Sequence, residues 1–219
     1  MRASEHLSED HIIETNAILQ ADGLCFSYPQ HPLFTNWSAR ITAGLTLLRG
    51  DDGSGKTTLL RLLAGELPAD AGALTINGVS LSAQPVEYRR QVFWLDPRTT
   101  QFDQITALEY FASLHGQYPA LDTALLAELA DGLALAPHLA KPLYMLSTGS
   151  KRKVWLAAAF ASGAAVTLLD EPFAALDKGS INFVLELLAD AAQSARAWVM
   201  AHYEPPAGVA LAQLIALGA

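Results

Sequence analysis

Residues 50–57 read Gly50-Asp51-Asp52-Gly53-Ser54-Gly55-Lys56-Thr57. Glycine at the first and sixth positions, then lysine and a hydroxyl residue, is the spacing of a backbone loop that wraps a chain of phosphates. Before it, Leu45 to Leu48 is a short apolar run bounded by Gly44 and Gly50, which predicts a buried strand. After it, Leu59, Leu60, Leu62 and Leu63 predict a helix from Lys56 that stops at Gly65 and Pro68. Strand, glycine-rich turn and helix is the context that separates this motif from a chance cluster of glycines. Glycines let successive amides point inward at phosphate oxygens, and the helix N-terminus adds its own amides and dipole. Lys56 is expected to reach the terminal phosphates, Thr57 to offer its hydroxyl to Mg²⁺, and Thr58 to complete the set. Asp51 and Asp52 suit a polyphosphate only with their side chains turned outward, so that the backbone does the cradling.

A phosphate loop needs an acidic partner at the end of a neighbouring strand. Val166-Thr167-Leu168-Leu169 followed by Asp170-Glu171 supplies one. Strand alternation sends the two carboxylates in different directions. Asp170 is assigned to the Mg²⁺ shell and Glu171 to polarising the attacking water. The competing reading is an acidic pair that caps a helix.

Outward from these motifs, Leu24-Cys25-Phe26-Ser27-Tyr28 predicts a first strand closed by Pro29. Leu74-Thr75-Ile76 meeting Asn77-Gly78 predicts a hairpin. Gln91 to Leu95, Trp198 to Ala201 and Leu214 to Leu217 predict further strands. Helical spacing governs Thr106 to Leu139, the region around Ala157 to Phe160, and Ile181 to Ala192. Alternating strands and helices predict an α/β fold with a largely parallel core. Residues 1–18 are polar and predict a flexible lead-in, with one domain over 19–219 and a helical subdomain over about 97–160.

The 219 residues include 51% hydrophobic and 16% charged residues, with a mean hydropathy of +0.22. That excludes disorder over most of the chain. A single cysteine cannot build an internal disulfide or a multi-thiolate metal site. A net charge of −8 disfavours a broad nucleic-acid footprint. No secretory signal is visible near Met1, and the nearest approach to a membrane span, Val154 to Leu169, is too short to cross and is broken by Ser162-Gly163. A compact intracellular protein is expected.

In this order, the motifs resemble the nucleotide-binding subunits of ABC transporters, over about residues 22–219. Leu146-Ser147-Thr148-Gly149-Ser150 resembles that family's signature loop, and Lys151-Arg152-Lys153 follows as in the family. Ala174-Ala175-Leu176-Asp177 resembles the D-loop, His202 the switch histidine, and Tyr28 the aromatic that stacks on adenine. The resemblance implies an ATPase that takes ATP and Mg²⁺ and works as a homodimer or heterodimer of cassettes. Each ATP would lie between one phosphate loop and the partner's Ser147 and Gly149, with Asp177 nearby. His202 would position the attacking water beside Glu171 and Lys56. A separate transmembrane permease subunit is implied, placing this chain in the cytoplasm at the inner face of the membrane, with no nucleic-acid partner.

Two features depart from the family pattern. The family glutamine that ends a strand about ten residues before a threonine is replaced by Asp96, with Gln91 and Gln101 poorly placed. A carboxylate there suits Mg²⁺ as a hard ligand, so Asp96 is assigned to the metal. The signature carries Thr148 and Ser150 where the family has glycine and glutamine. The short segment between Asp96 and Ser147 resembles small exporters of the haem-export type. The alternatives are a regulatory cassette that binds ATP with little hydrolysis, or a non-transport ATPase of the same family. A small phosphate-loop kinase would leave the signature loop, Asp177 and His202 without a use.

Overall fold

The structure is a computed structural model and describes residues 17–29 and 31–218. Most of the expected lead-in lies outside the described residues. Its last residue, Ile18, is already pinned: its amide donates to Ile41 O at 2.8 Å and its carbonyl accepts from Asn77 N at 2.9 Å.

Two sheets carry the fold. The first pairs β2 (His31–Ile41), β1 (Leu19–Tyr28), β4 (Ala71–Ile76) and β5 (Val79–Ser80), all antiparallel. Asn77 and Gly78 both have positive φ (48° and 78°), the conformation a two-residue hairpin turn between β4 and β5 requires. The second sheet is wholly parallel, in the order β6 (Val92–Phe93), β7 (Val166–Asp170), β8 (Ala197–Ala201), β3 (Gly44–Arg49) and β9 (Gln213–Ala216). Strands β7 and β8 read Val-Thr-Leu-Leu-Asp and Ala-Trp-Val-Met-Ala, nearly continuous apolar runs, because both faces of this sheet are covered.

Alternation along the parallel strands divides the core in two. Leu48, Leu168, Val166, Val199 and Ala201 join the antiparallel sheet and helix α1 (Lys56–Leu63) on one face. Leu47, Leu169, Trp198 and Met200 join the remaining helices on the other. Those are α3 (Ala107–Ser113), α4 (Thr123–Gly132), α5 (Thr148–Ala161) and α6 (Lys178–Ala191). A short helix, α2 (Pro85–Arg90), completes the set. Each of α3 to α6 starts on a side-chain cap: Thr106, Asp122, Ser147 and Asp177.

Two elements depart from expectation. The sequence reading assigned nothing to β2, which runs for eleven residues at a sheet edge. Pro32 and a left-handed Asn36 (φ 54°) interrupt its alternation, and an edge strand tolerates both. The strand expected over Gln91 to Leu95 is cut to Val92–Phe93, the two residues that pair with Val166 and Thr167 of β7.

Candidate nucleotide site

The loop at the C-terminal end of β3 leads directly into α1, whose first turn is uncapped by any side chain: its N-cap is Gly55, at φ 94°. Gly53 is also left-handed, at φ 81°. These angles turn the backbone inward at little strain only because neither residue has a Cβ. Gly50 sits under the loop, where a Cβ would clash with the Ser54 hydroxyl. Asp51 and Asp52 are exposed, as a backbone cradle demands. Lys56 is 8% exposed and crosses the loop, donating from Nζ to Gly50 O at 2.6 Å and Asp51 O at 3.0 Å.

A side-chain hydrogen bond ties the start of α1 to the end of β7. Thr57 Oγ1 donates to Asp170 Oδ2 at 2.7 Å, across 113 positions of sequence. Burial pushes the Asp170 carboxyl above its ordinary range, opposed by the Thr57 hydrogen bond and by Arg98 and Arg152. A hydroxyl and a carboxylate meeting in a partly buried cleft form a hard-oxygen donor set that fits Mg²⁺. A cleft of about 610 Å³ opens over this pair, lined by Tyr28, Lys56, Thr58, Arg98, Arg152 and Glu171 among others.

Tyr28 and Phe26 are on one strand face by alternation, and the structure separates them. Phe26 is 7% exposed in the core, whereas Tyr28 is 43% exposed and lines the cleft. The β1–β2 register shifts between Phe26 and Ser27, which releases the strand end. Tyr28 Oη lies 3.1 Å from Thr58 Oγ1.

Glu171 follows β7 in a left-handed backbone conformation (φ 45°), uncommon for a side chain with a Cβ. Arg152, on α5, holds it there: one Nη1 donates to Asp170 O at 2.9 Å and to Glu171 O at 2.6 Å. Burial lowers the Arg152 pKa, offset by Asp170 and Glu171. Glu171 Oε2 stands 3.6 Å from His202 Nε2. The His202 ring is packed between Tyr203, stacked at 4.3 Å, and the edge of Phe173 at 5.4 Å. Its Nδ1 is within reach of both the amide (3.2 Å) and the carbonyl (3.1 Å) of Glu204, so this turn holds the ring in either protonation state.

The remaining assigned residues lie elsewhere. Ser147 caps α5 through Ser150 N (3.1 Å) and is exposed. Gly149 packs so close to the next segment that a Cβ would strike the Ala175 carbonyl oxygen. Asp177 caps α6 and pairs with Lys153 at 2.7 Å. Its carboxyl is held far below the usual range by Lys153 and the Ser180 hydrogen bonds. None of the three lines the cleft. Asp96 is not there either: its Oδ1 accepts the Arg98 amide at 2.8 Å, and it borders an adjoining cavity. Pro97 and Arg98 line the cleft in its place. Arg98 and Arg152 were both missed as site residues. A basic residue after the signature was visible for Arg152, and nothing in the local spacing marked Arg98.

An amide-lined loop, a lysine across it, and a threonine bonded to a strand-end carboxylate define a nucleoside-triphosphate-binding α/β cassette. The chain belongs to the ABC transporter family, whose model matches residues 34–174. It is 33% identical over 183 residues to the cytochrome c biogenesis ATP-binding export protein CcmA of Pseudomonas syringae pv. syringae (strain B728a), covering 82% of this chain and 85% of that protein. Against the CcmA of Escherichia coli (strain K12) it is 30% identical over 189 residues, 86% of this chain and 90% of that one. Among solved structures, an ATP-binding subunit of an ABC transporter superposes with a TM-score of 0.76 at 24% identity, covering 85% of this chain and 79% of that one. A bacterial Atm1-family ABC exporter with ATP bound gives 0.70 at 20%, over 84% of this chain and 34% of that one. The structures establish the fold, and the family establishes an ATP-binding ATPase subunit that works with a separate membrane component. Among the described residues no helix is long and apolar enough to cross a membrane.

Proposed function

We propose that the cleft binds Mg-ATP, with Lys56 on the terminal phosphates, Thr57 and Asp170 on the metal, Tyr28 on adenine, and Glu171 and His202 at the attacking water. The Thr57–Asp170 hydrogen bond carries this reading, since it joins the phosphate loop to the acidic strand end inside one cleft. The ion, when bound, neutralises charge on the phosphate oxygens. Glu171 is set to accept a proton from water, and its backbone is fixed by Arg152 before substrate arrives. His202 Nε2, facing Glu171, orients the same water or a phosphate oxygen.

Ser147 and Gly149 do not line their own cleft, which supports a head-to-tail pair in which each completes the other copy's site. Closure would then depend on the terminal phosphate and reverse on hydrolysis. We infer a peripheral subunit at the inner membrane face, driving a permease in an export system of the cytochrome c biogenesis type. The CcmA relatives, described as cytochrome c biogenesis ATP-binding export proteins, support that type of system.

Calorimetric titration with Mg-ATP tests the site. Lys56→Ala is expected to lose binding by at least about tenfold, the scale of a charge-assisted contact. Wild-type affinity in that variant would refute the assignment.

A further inference from the structure

Arg98 presents an unpartnered cation to the cleft. It lines the wall with Lys56, Thr57, Arg152 and Asp170. Among the described residues its guanidinium makes no hydrogen bond and no ion pair. Its backbone, by contrast, is tightly set. Asp96 Oδ1 accepts the Arg98 amide at 2.8 Å, Asp96 O accepts the Thr99 amide at 3.0 Å, and Pro97 restricts the turn between them. The turn fixes where the side chain starts, and the exposed guanidinium has no protein partner to give up, so the main cost of taking an anion is ordering that side chain.

Thr57, Arg152, Asp170 and Glu171 line the same cleft as Arg98. Both Arg98 and Asp96 are close enough for their charges to act on the Asp170 carboxyl, in opposite directions, so the turn stands at the metal and hydrolysis end of the cleft. Asp170 is not its anion, since that carboxylate takes the Thr57 hydroxyl and makes no contact with the guanidinium. An incoming phosphate is the ligand that suits a planar fork of donors. Lys56 already spans the loop and serves any nucleotide seated there. Arg98 lines the cleft from outside the loop, so its charge adds to a phosphate that the loop itself does not enclose.

We propose that Arg98 contacts the terminal phosphate, and that through it this chain tells a nucleoside triphosphate from a diphosphate. The proposal rests on the Mg-ATP reading of the cleft. It also recasts Asp96 as the residue that folds the turn and aims Arg98, rather than a metal ligand.

Titration of the full chain with Mg²⁺ and either the non-hydrolysable triphosphate AMPPNP or ADP tests it. Arg98→Ala is expected to weaken AMPPNP by on the order of ten- to hundredfold and ADP by less than about threefold. Arg98→Lys recovers part of the difference. Asp96→Asn, which keeps an acceptor for the Arg98 amide, leaves the AMPPNP-to-ADP ratio near wild type, whereas Asp96→Ala lowers it. Equal weakening of both nucleotides in Arg98→Ala, or no weakening of either, overturns the proposal. So does a loss of Mg²⁺-dependent affinity in Asp96→Asn with the Arg98 variants unaffected, since that returns the metal to Asp96. Retained ADP binding shows that each variant is folded. If Lys56→Ala keeps both affinities, the cleft reading itself has failed, and that result is distinct from a failure at Arg98 alone.

Discussion

Helix α1 opens on Gly55 with no side-chain cap, whereas helix α5 opens on Ser147, whose hydroxyl takes the Ser150 amide. The first leaves its leading amides free over a cleft that its own chain completes with Asp170 and Glu171. The second is already satisfied, exposed, and tied backward to its own chain. Gly149 abuts Ala175, Lys153 pairs with Asp177, and Arg152 clamps the carbonyls of Asp170 and Glu171. The phosphate loop is therefore a site in one chain. The signature loop is a surface linked to that site through α5, and on the proposed head-to-tail pairing it joins a site only against another copy. What α5 meets outside can reach Glu171 through three contacts within a few residues of one another.

The largest effect should come from breaking the cleft side alone. Glu171→Gln keeps size and hydrogen bonding but removes the proton acceptor, so turnover is expected to fall by about 10²- to 10⁴-fold while Mg-ATP affinity holds. The same variant should accumulate an ATP-bound dimer on size-exclusion chromatography. Turnover at the wild-type rate would place the base elsewhere.

Breaking the signature side should give a different pattern. In Gly149→Ala the new methyl must displace the Ala175 backbone, an overpacking that costs about 1–3 kcal/mol. Affinity of the isolated chain for Mg-ATP should stay within a factor of about three, while turnover falls tenfold or more. Ser147→Ala removes only the cap, worth about 1 kcal/mol, and serves as the stability control. If both variants lose turnover only in proportion to their melting temperatures, the signature loop is merely structural. If nucleotide affinity collapses with turnover, the two regions are one site, and the contrast between α1 and α5 fails.

The two regions also differed in how far the sequence disclosed them. The phosphate loop and the Asp170-Glu171 pair were readable because their chemistry needs contiguous residues at fixed spacing between a strand and a helix. The parallel core was readable for a related reason: burial on both faces forces unbroken apolar runs such as Val166 to Leu169. Strand β2 escaped notice because an edge strand can carry Pro32, Asn36 and Arg40 without a packing penalty. Tyr28 and Phe26 could not be ranked by alternation, since a register shift at the strand end decides between them. Asp96 was chosen by counting back from Thr106, but in a loop the count does not say which side chain faces the cleft. Of Asp96 and Arg98, Arg98 lines the cleft and Asp96 the adjoining cavity.

The smallest predicted effect concerns stability and runs opposite to function. Asp170 is buried enough that its carboxyl titrates above the ordinary aspartate range, despite the Thr57 hydroxyl and two nearby arginines. A carboxylate whose folded pKa is raised binds its proton more tightly in the native state than in the unfolded chain. Native stability therefore declines as pH rises from the unfolded value near 3.8 through the folded one. Asp170→Asn keeps an oxygen that can accept the Thr57 hydroxyl and removes the charge. Without nucleotide or metal, this variant should melt higher than the wild type at pH 7. The gap should shrink on acidification toward pH 4, where the wild-type carboxyl takes up its proton. Mg-ATP should then reverse the order at neutral pH, since it stabilises only a chain that binds it. Thermal melts at pH 4, 5.5 and 7, with and without Mg-ATP, decide the matter. A wild type that is the more stable protein at pH 7 without ligand would show that Arg98 and Arg152 already compensate the buried charge. The cleft would then be as self-satisfied as the cap of α5, and the contrast between the two regions would narrow to geometry.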